Sequence, residues 1–276
     1  MADRGTGWEI EKGMRFDEIV AGYDKVRPEY PDELFEDIFR YSEPGKTKKV
    51  LEIGAGTGKA TVPFLNAGYD VTAVEIGANM ANFLAEKFEM RKNFNVIISA
   101  FEDADLEDKS YDVLYAATAF HWVNAEIGCP KAFRLLKSGG VIALFRYNAV
   151  PANGEALYEE IQEVYEKYYY SYYKSETYRP IKKSNDEFMK VEEISRGFGF
   201  EDLSAYGFRD VSMKLYHTAR VFDADEYIAI LDTCSDHRSL PDNERAALYA
   251  DVRKAIIKHG GHHKVEYVFQ LYMGRK

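Results

Sequence analysis

Short apolar runs and helically spaced apolar residues alternate along the first 150 positions of the chain. Leu34, Phe35, Ile38 and Phe39 share one face of a helix that is predicted to begin at Pro31. Five apolar runs predict strands at 49–53, 71–75, 95–99, 111–116 and 141–145, with helices at 59–67, at 78–88 and over 131–136, the last ending at Ser138-Gly139-Gly140. Because the strands are apolar runs rather than alternating patterns, they favour a mostly parallel sheet covered on both faces.

The second half of the chain departs from this alternation. Residues 151–185 are rich in tyrosine and charge, and the spacing of Leu157, Ile161 and Val164 predicts an inserted helical segment that lies over the sheet. Further elements are predicted in order: a strand at 208–221, helices at 223–231 and 241–259, and an alternating final strand, antiparallel to its neighbour, at 265–273.

The predicted fold is α/β and Rossmann-like. It is a doubly wound, mostly parallel seven-stranded sheet with an antiparallel last strand and a helical cap insertion. We expect a single domain over residues 1–276, with its core at about 30–150 and 205–276 and its cap at about 151–204. Helically spaced apolar residues at 16–26 predict one more helix ahead of Arg27-Pro28.

The composition limits the classes of partner. The chain carries 36 basic and 46 acidic residues, and a net charge of −10 repels a nucleic-acid backbone. Its two cysteines imply no disulfide framework, and no apolar run reaches signal-peptide length or the roughly 20 residues that span a bilayer. We therefore expect a cytoplasmic monomer or homodimer with a small-molecule substrate, and neither nucleic-acid nor membrane partners.

The strongest chemical signal is a glycine-rich turn between the first predicted strand and its helix. Gly54, Gly56 and Gly58 follow Ile53, and glycines let the backbone turn tightly and approach a ligand without an intervening Cβ. The next helix begins there and adds free N–H groups at the carboxyl ends of the strands, where such sheets bind ligands. Glu75 closes the second strand, and its carboxylate can accept hydrogen bonds from both hydroxyls of a ribose.

Three interpretations of this turn stay open on these residues alone. It can be a glycine-rich turn without a ligand, although the loop, the strand order and Glu75 together favour one. It can bind a dinucleotide in an NAD-dependent oxidoreductase, but Lys59 stands where G-x-G-x-x-G needs its third glycine. It can bind S-adenosylmethionine, either in a methyltransferase or in a regulator that binds the cofactor without turnover.

Several segments extend the signal of the turn across the chain. Val50 to Gly58 carries an acid, Glu52, two residues before the first glycine, and it is accompanied by segments at 16–31, 119–122, 136–140 and 235–238. Together they resemble class I S-adenosylmethionine-dependent methyltransferases, in particular methyltransferase type 11 and the trans-aconitate methyltransferase-like branch.

The resemblance implies S-adenosyl-L-methionine as the cofactor and gives residues to its parts. Glu52 would orient the loop and the amino group of the cofactor, and Glu75 would hold the ribose. The other implied cofactor positions are Tyr23, Arg27, Gly54, Ala55, Gly56, Gly58, Ile76, Met80, Ala100, Phe101, Glu102, Ala117 and Thr118. Many relatives have an acid where Ala100 stands, so backbone groups or Glu102 are candidates for binding the adenine amine.

Candidate groups for the methyl acceptor lie after the fourth predicted strand and near the C-terminus. His121 is a candidate base or substrate ligand, and Trp122 a candidate wall whose ring face attracts a sulfonium. His237 and Arg238 are candidates for recognising an acidic group of the substrate. A carboxylate acceptor would need no general base, because methyl transfer is a direct displacement. No metal is expected at the histidines of 259–263, which lack a supporting cysteine or acid cluster.

Overall fold

The computed structural model describes residues 24–42, 48–152, 154–174 and 200–276. The strands are β1 (Lys49–Ile53), β2 (Asp70–Glu75), β3 (Phe94–Ile98), β4 (Tyr111–Ala117), β5 (Leu136–Ala149), β6 (Arg209–Asp223) and β7 (His262–Arg275). Within the described ranges they form one seven-stranded sheet in the order β3-β2-β1-β4-β5-β7-β6. The first five strands pair in parallel, and β7 runs antiparallel to both β5 and β6. The predicted α/β sheet with an antiparallel last strand is confirmed.

Helices connect the strands and cover the sheet. They are α1 (Asp32–Tyr41), α2 (Thr61–Asn66), α3 (Ala78–Lys87), α4 (Ala125–Leu135), α5 (Ala156–Tyr165), α6 (Ser171–Tyr173), α7 (Ala224–Leu231), α8 (Ser235–Arg238) and α9 (Asp242–Lys258). A π-helical turn at Glu166–Tyr170 joins α5 to α6, and 3-10 turns occupy Phe120–Trp122 and Phe200–Tyr206. No helix in these ranges has both the length and the apolar character needed to cross a membrane.

Two buried apolar clusters lie on opposite faces of the sheet. Successive side chains of a strand point to opposite faces, so the neighbours Leu114 and Tyr115 of β4 belong to different clusters. On one face Tyr115 stacks on Phe64 of α2 with ring centroids 4.1 Å apart. On the other face Ala132 and Leu135 of α4 pack with Leu114. Burial of these side chains fixes the carboxyl ends of β1 and β4 side by side.

The end of α4 differs from the sequence prediction. The predicted helix end at Ser138-Gly139-Gly140 is wrong, because α4 ends at Leu135 and β5 begins at the next residue. The three residues form an irregularity inside β5, where pairing with β4 shifts register between Tyr111 and Val113. Gly139 has a φ of 75°, which glycine adopts without strain. These glycines therefore serve a bulge in a strand rather than a helix stop.

The described part of the predicted cap packs on helices. Ile161 of α5 and Tyr170 of the π-helical turn lie in one cluster with Leu231 of α7 and with Leu248 and Val252 of α9. Residues 154–174 contact α9, and α7 and α9 each contact β7, so the described part of this segment packs on helices that themselves touch the sheet. The domain and cap boundaries stay predictions.

Candidate functional site

A cavity of about 380 Å³ opens at the carboxyl ends of β1, β2 and β4. It lies at the point where the strand order reverses, between β1 and β4, which is where doubly wound sheets bind their ligands. Its lining includes most of the residues expected from the sequence: Arg27, Gly54, Ala55, Gly56, Glu75, Ile76, Met80, Ala100, Phe101, Glu102, Ala117, Thr118, His121 and Trp122. Of the other expected residues, Tyr23 lies outside the described ranges.

The glycine loop has the backbone that its sequence predicts. Gly54, Gly56 and Gly58 have φ values of 67°, 55° and 80°, in the left-handed region that side chains disfavour. A Cβ on Gly54 would stand 2.6 Å from the Cβ of Ala119, so no larger residue fits between β1 and the turn after β4. A Cβ on Gly56 would meet no atom of the described residues within 4 Å, so this backbone is accessible to a ligand. Gly58 packs on α3 and does not line the cavity.

Glu75 is held by the backbone on two sides. Its Oε2 accepts a hydrogen bond from the Gly56 N–H at 2.8 Å, and its Oε1 accepts one from the Gly77 N–H at 3.0 Å. The two oxygens of a carboxylate together offer about four acceptor sites. A carboxylate oriented in this way can therefore also accept hydrogen bonds from ligand hydroxyls. The geometry presents a fixed acceptor to a ribose-like diol.

Glu52 lies behind the loop and does not line the cavity. Its side chain is fully buried, and its Oε2 accepts a hydrogen bond from Thr61 Oγ1 at 2.5 Å. Burial raises the pKa of Glu52 to about 7, with a further rise from the nearby charge of Glu75. Any contribution of Glu52 to ligand binding therefore passes through the loop or through water.

The segment after β3 forms the next wall of the cavity. Glu102 Oε1 accepts a hydrogen bond from the Asn124 N–H at 2.9 Å, which ties this wall to the start of α4. Lys131 Nζ donates to the Glu102 carbonyl at 3.0 Å and lies 5.4 Å from the centroid of the Phe101 ring. Asp103 also lines the cavity, although the sequence did not single it out. The acids at 102 and 103 therefore stand on the same cavity wall as Ala100.

Thr118 follows β4 directly and has an unusual backbone. Its φ is 52°, and a β-branched residue in this region is strained by roughly 1–3 kcal/mol. The Thr118 N–H donates to the Phe145 carbonyl at 2.7 Å, and its Oγ1 is 2.8 Å from the hydroxyl of Tyr30. Strain of this kind is typical of residues that a functional site holds in place.

Tyr30 and Tyr147 are site residues that the sequence reasoning missed. Both line the cavity, and Arg27 Nη1 donates to the Tyr147 hydroxyl at 3.1 Å. Arg27 Nη2 donates to the Thr233 carbonyl at 2.7 Å, so the guanidinium joins the lead-in to the segment after α7. Tyr30 could have been found from its place in the segment Arg27-Pro28-Glu29-Tyr30-Pro31. No sequence feature marks Tyr147 as a cavity residue.

His121 and Trp122 stand in the 3-10 turn that closes the cavity beyond Thr118. Their ring centroids are 4.9 Å apart, and 38% of Trp122 is exposed. Both residues line the cavity from the same turn, and their role towards an acceptor stays a prediction.

His237 and Arg238 do not line the cavity. His237 is buried, its Nε2 is 3.1 Å from the Tyr165 hydroxyl, and burial lowers its pKa. Arg238 Nη1 pairs with Asp232 at 3.1 Å. The structure thus places both in the contacts around α8 instead of at the expected substrate site. The described residues hold no cluster of His, Cys, Asp or Glu suited to a metal ion.

The fold and the site together define a Rossmann-like protein whose cavity opens on a glycine loop beside a fixed carboxylate. Residues 51–144 match the family described as methyltransferase domain. An uncharacterized methyltransferase of Schizosaccharomyces pombe is 25% identical over 248 residues, which cover 88% of each chain.

Solved structures extend the likeness to the fold. A protein of Anaeromyxobacter dehalogenans assigned to the type II methyltransferases aligns with a TM-score of 0.58 and 20% identity, over 90% of this chain and 97% of that one. Phosphoethanolamine N-methyltransferase 2 of Haemonchus contortus, in complex with phosphomonomethylethanolamine and S-adenosylhomocysteine, aligns with a TM-score of 0.55 and 14% identity, over 97% of this chain and 59% of that one. The family match over residues 51–144 and the relative from Schizosaccharomyces pombe support a class I S-adenosylmethionine-dependent methyltransferase.

Proposed function

We propose that the cavity binds S-adenosyl-L-methionine and that the chain transfers its methyl group to a small-molecule acceptor. The observation that carries the proposal is the joint placement of the glycine loop and the Glu75 carboxylate on one cavity wall, with Gly56 donating to Glu75. Because Gly56 has no side chain, a ligand can approach its backbone closely and lie on the loop.

The groups that line the cavity suggest one orientation for the cofactor. Glu75 would accept the ribose hydroxyls, and Ile76, Met80 and Phe101 supply apolar surface for a base. Glu102 and Asp103 stand on the same wall and could accept from an exocyclic amine. The methionine end then extends past Gly54 towards the carboxyl end of β4, where Arg27 offers a cation for its carboxylate.

The opposite half of the cavity is suited to the acceptor. Tyr30, Thr118, His121, Trp122 and Tyr147 of the cavity lining offer hydroxyls and aromatic faces for it. The cofactor must occupy part of about 380 Å³, so the remaining space suits a small molecule. The net charge of −10 also favours a small acceptor over a nucleic acid.

The chemistry that the bound cofactor supplies is a methyl group activated on a sulfonium, which a nucleophile displaces directly. The residues of the chain therefore bind, orient and exclude water. His121 is placed to remove a proton from an acceptor that must lose one, such as a phenol or an amine. A carboxylate acceptor would need orientation only.

A dinucleotide is the runner-up ligand. Lys59 occupies the position of the third glycine in that fingerprint, and its ammonium forms an ion pair with Glu29. In the dinucleotide-binding motif the third glycine lets the helix pack closely on the strand, and the lysine side chain would have to fit into that contact. The loop therefore fits S-adenosylmethionine better than NAD.

Isothermal calorimetry with S-adenosylmethionine and S-adenosylhomocysteine tests the proposed function. The parent should bind both at micromolar concentration, and Gly56→Asp should bind neither, because its side chain enters the ligand space. Gly68→Asp is the matched control: Gly68 also has a positive φ and open surroundings but lies outside the cavity. Absence of binding to the parent, or equal binding by Gly56→Asp, would overturn the assignment.

Transfer of a labelled methyl group to a panel of small acids, phenols and amines identifies the acceptor class. If the chain is an enzyme, at least one compound should yield labelled product. If it is a regulator that only binds the cofactor, no compound should. Quenching or enhancement of NADH fluorescence, without binding of S-adenosylmethionine, would instead support the oxidoreductase.

A further inference from the structure

Tyr30 and Thr118 form a hydroxyl pair in the cavity wall, with their oxygens 2.8 Å apart. We propose that the Tyr30 hydroxyl holds Thr118 in its left-handed backbone conformation, so that Thr118 presents its polar atoms to the sulfonium end of the bound cofactor. Tyr30 is then a positioning residue for methyl transfer. The inference rests on the proposed function, because it places the sulfonium beside Thr118.

Thr118 needs to be held. Its φ of 52° is one that a β-branched residue rarely adopts, so an isolated chain would relax to a negative φ. Two contacts oppose that relaxation: the N–H of Thr118 donates to the carbonyl of Phe145 at 2.7 Å, and its Oγ1 bonds with Tyr30. The first fixes one side of the peptide, and the second fixes the side chain.

Tyr30 is a rigid point from which to hold it. Its ring makes edge-on contacts with Phe145, Phe269 and Phe35, at centroid distances of 5.1, 5.7 and 6.2 Å. These neighbours come from β5, β7 and α1, so the phenol is fixed against three elements. Such edge-to-face contacts have preferred geometries, which keeps the hydroxyl aimed at Thr118.

The expected consequence is selectivity for charge. Oriented carbonyl and hydroxyl oxygens stabilise a cation where their positions are fixed in advance. S-adenosylmethionine carries a positive sulfonium, whereas S-adenosylhomocysteine has a neutral thioether in the same place. Loss of the Tyr30 hydroxyl should therefore weaken the first ligand more than the second.

The test compares the dissociation constants of the two ligands by calorimetry. Tyr30→Phe should reduce the preference for S-adenosylmethionine over S-adenosylhomocysteine by about fivefold, the usual effect of one hydrogen bond. Tyr147→Phe is the matched control, since it removes another cavity hydroxyl, one bonded to Arg27 instead of Thr118. It should change the affinity for both ligands by the same factor.

A second variant separates positioning from loss of packing. Asn adopts a positive φ far more readily than Thr, so Tyr30→Phe/Thr118→Asn should regain the preference for the charged ligand. The proposal is overturned if Tyr30→Phe leaves the preference unchanged, if it weakens both ligands equally, or if the double variant shows no recovery.

A crystal structure of Tyr30→Phe tests the same proposal without any ligand. Thr118 should leave the left-handed region, and a φ that stays near 52° would overturn the inference. Should the parent bind neither ligand, the proposed function would fail on calorimetry while this structural test still decides whether Tyr30 holds Thr118.

Discussion

Glu75 accepts a hydrogen bond of 2.8 Å from the backbone N–H of Gly56, which ties the end of β2 to the glycine loop after β1. A second bond from the Gly77 N–H holds the other oxygen of the same carboxylate. The acid and the loop therefore form one rigid surface, and changes to either should reach the ligand through the other.

Glu75→Gln should lower the affinity for S-adenosylmethionine about 10- to 100-fold, the range for hydrogen bonds to a charged group. An amide has one acceptor oxygen, so one of the two backbone N–H donors would face an NH2 group. Calorimetry measures the loss, and circular dichroism checks that the fold is kept. Glu89→Gln, at an exposed acid outside the cavity, should bind as the parent does. Parent-like binding by Glu75→Gln would contradict the placement of the ribose.

Gly54→Ala should destabilise the fold more than a typical glycine replacement. The new Cβ would stand 2.6 Å from that of Ala119 while φ stays positive, which adds overpacking of about 1–3 kcal/mol to the conformational cost. Gly139→Ala is the matched control, because its φ is also positive but its Cβ meets nothing within 4 Å. Urea unfolding of the two variants should differ by that overpacking cost, and equal stabilities would argue against the close contact.

The stability of the protein should fall between pH 4.5 and 7 through Glu52. Burial raises the pKa of this carboxyl from 4.5 to about 7, so in that window the folded state keeps a proton that the unfolded state releases. The contribution present at low pH is lost as the pH rises through 7, by up to about 3 kcal/mol.

Urea unfolding at several pH values between 5 and 8 measures this slope. Glu52→Gln keeps an oxygen for the Thr61 hydroxyl and cannot ionise, so it should flatten the slope and be more stable than the parent at pH 8. Glu89→Gln should retain the slope of the parent. If Glu52→Gln were the less stable protein at pH 8, the carboxylate would be stabilised by a contact that burial alone does not explain.

His121→Asn should slow methyl transfer to a phenol or an amine about 100-fold while leaving the affinity for S-adenosylmethionine within about twofold. Loss of a base affects only acceptors that must release a proton, so transfer to a carboxylate should change little. Steady-state kinetics on the best acceptor of each class separates the two cases. His262→Asn, at an exposed histidine remote from the cavity, serves as the control. A parallel loss of cofactor affinity would make His121 a binding residue instead.

The sequence predicted the strands around the site well and the later elements less well. β1 and β2 are apolar runs that end on a glycine or an acid, so their bounds were found within one residue. β5 extends to Ala149, beyond its predicted end, because Arg146 is buried inside the sheet with its Nε donating to Gln270 Oε1 at 2.6 Å. A polar residue satisfied by a strand 124 positions away cannot be distinguished from a loop residue by local pattern.

The site residues also differ in whether local sequence marks them or only the fold brings them together. The glycine loop and Glu75 could be predicted because each sits at the end of its own strand. Tyr30 and Tyr147 meet only through the folded sheet, and no spacing in the sequence relates them. His237 was expected in the cavity and does not line it. In the sequence, a histidine that is buried beside Tyr165 cannot be distinguished from one that binds a substrate.

The position of β7 between β5 and β6 sets the order in which the sheet can be assembled. Among the described strands β6 pairs only with β7, so residues 209–223 cannot complete this pairing before residues 262–275 are present. Until then β5 is an open, apolar edge of the kind that joins strands of other molecules. More than a hundred residues separate the end of β5 from the start of β7, so during synthesis this edge stays uncovered until β7 emerges.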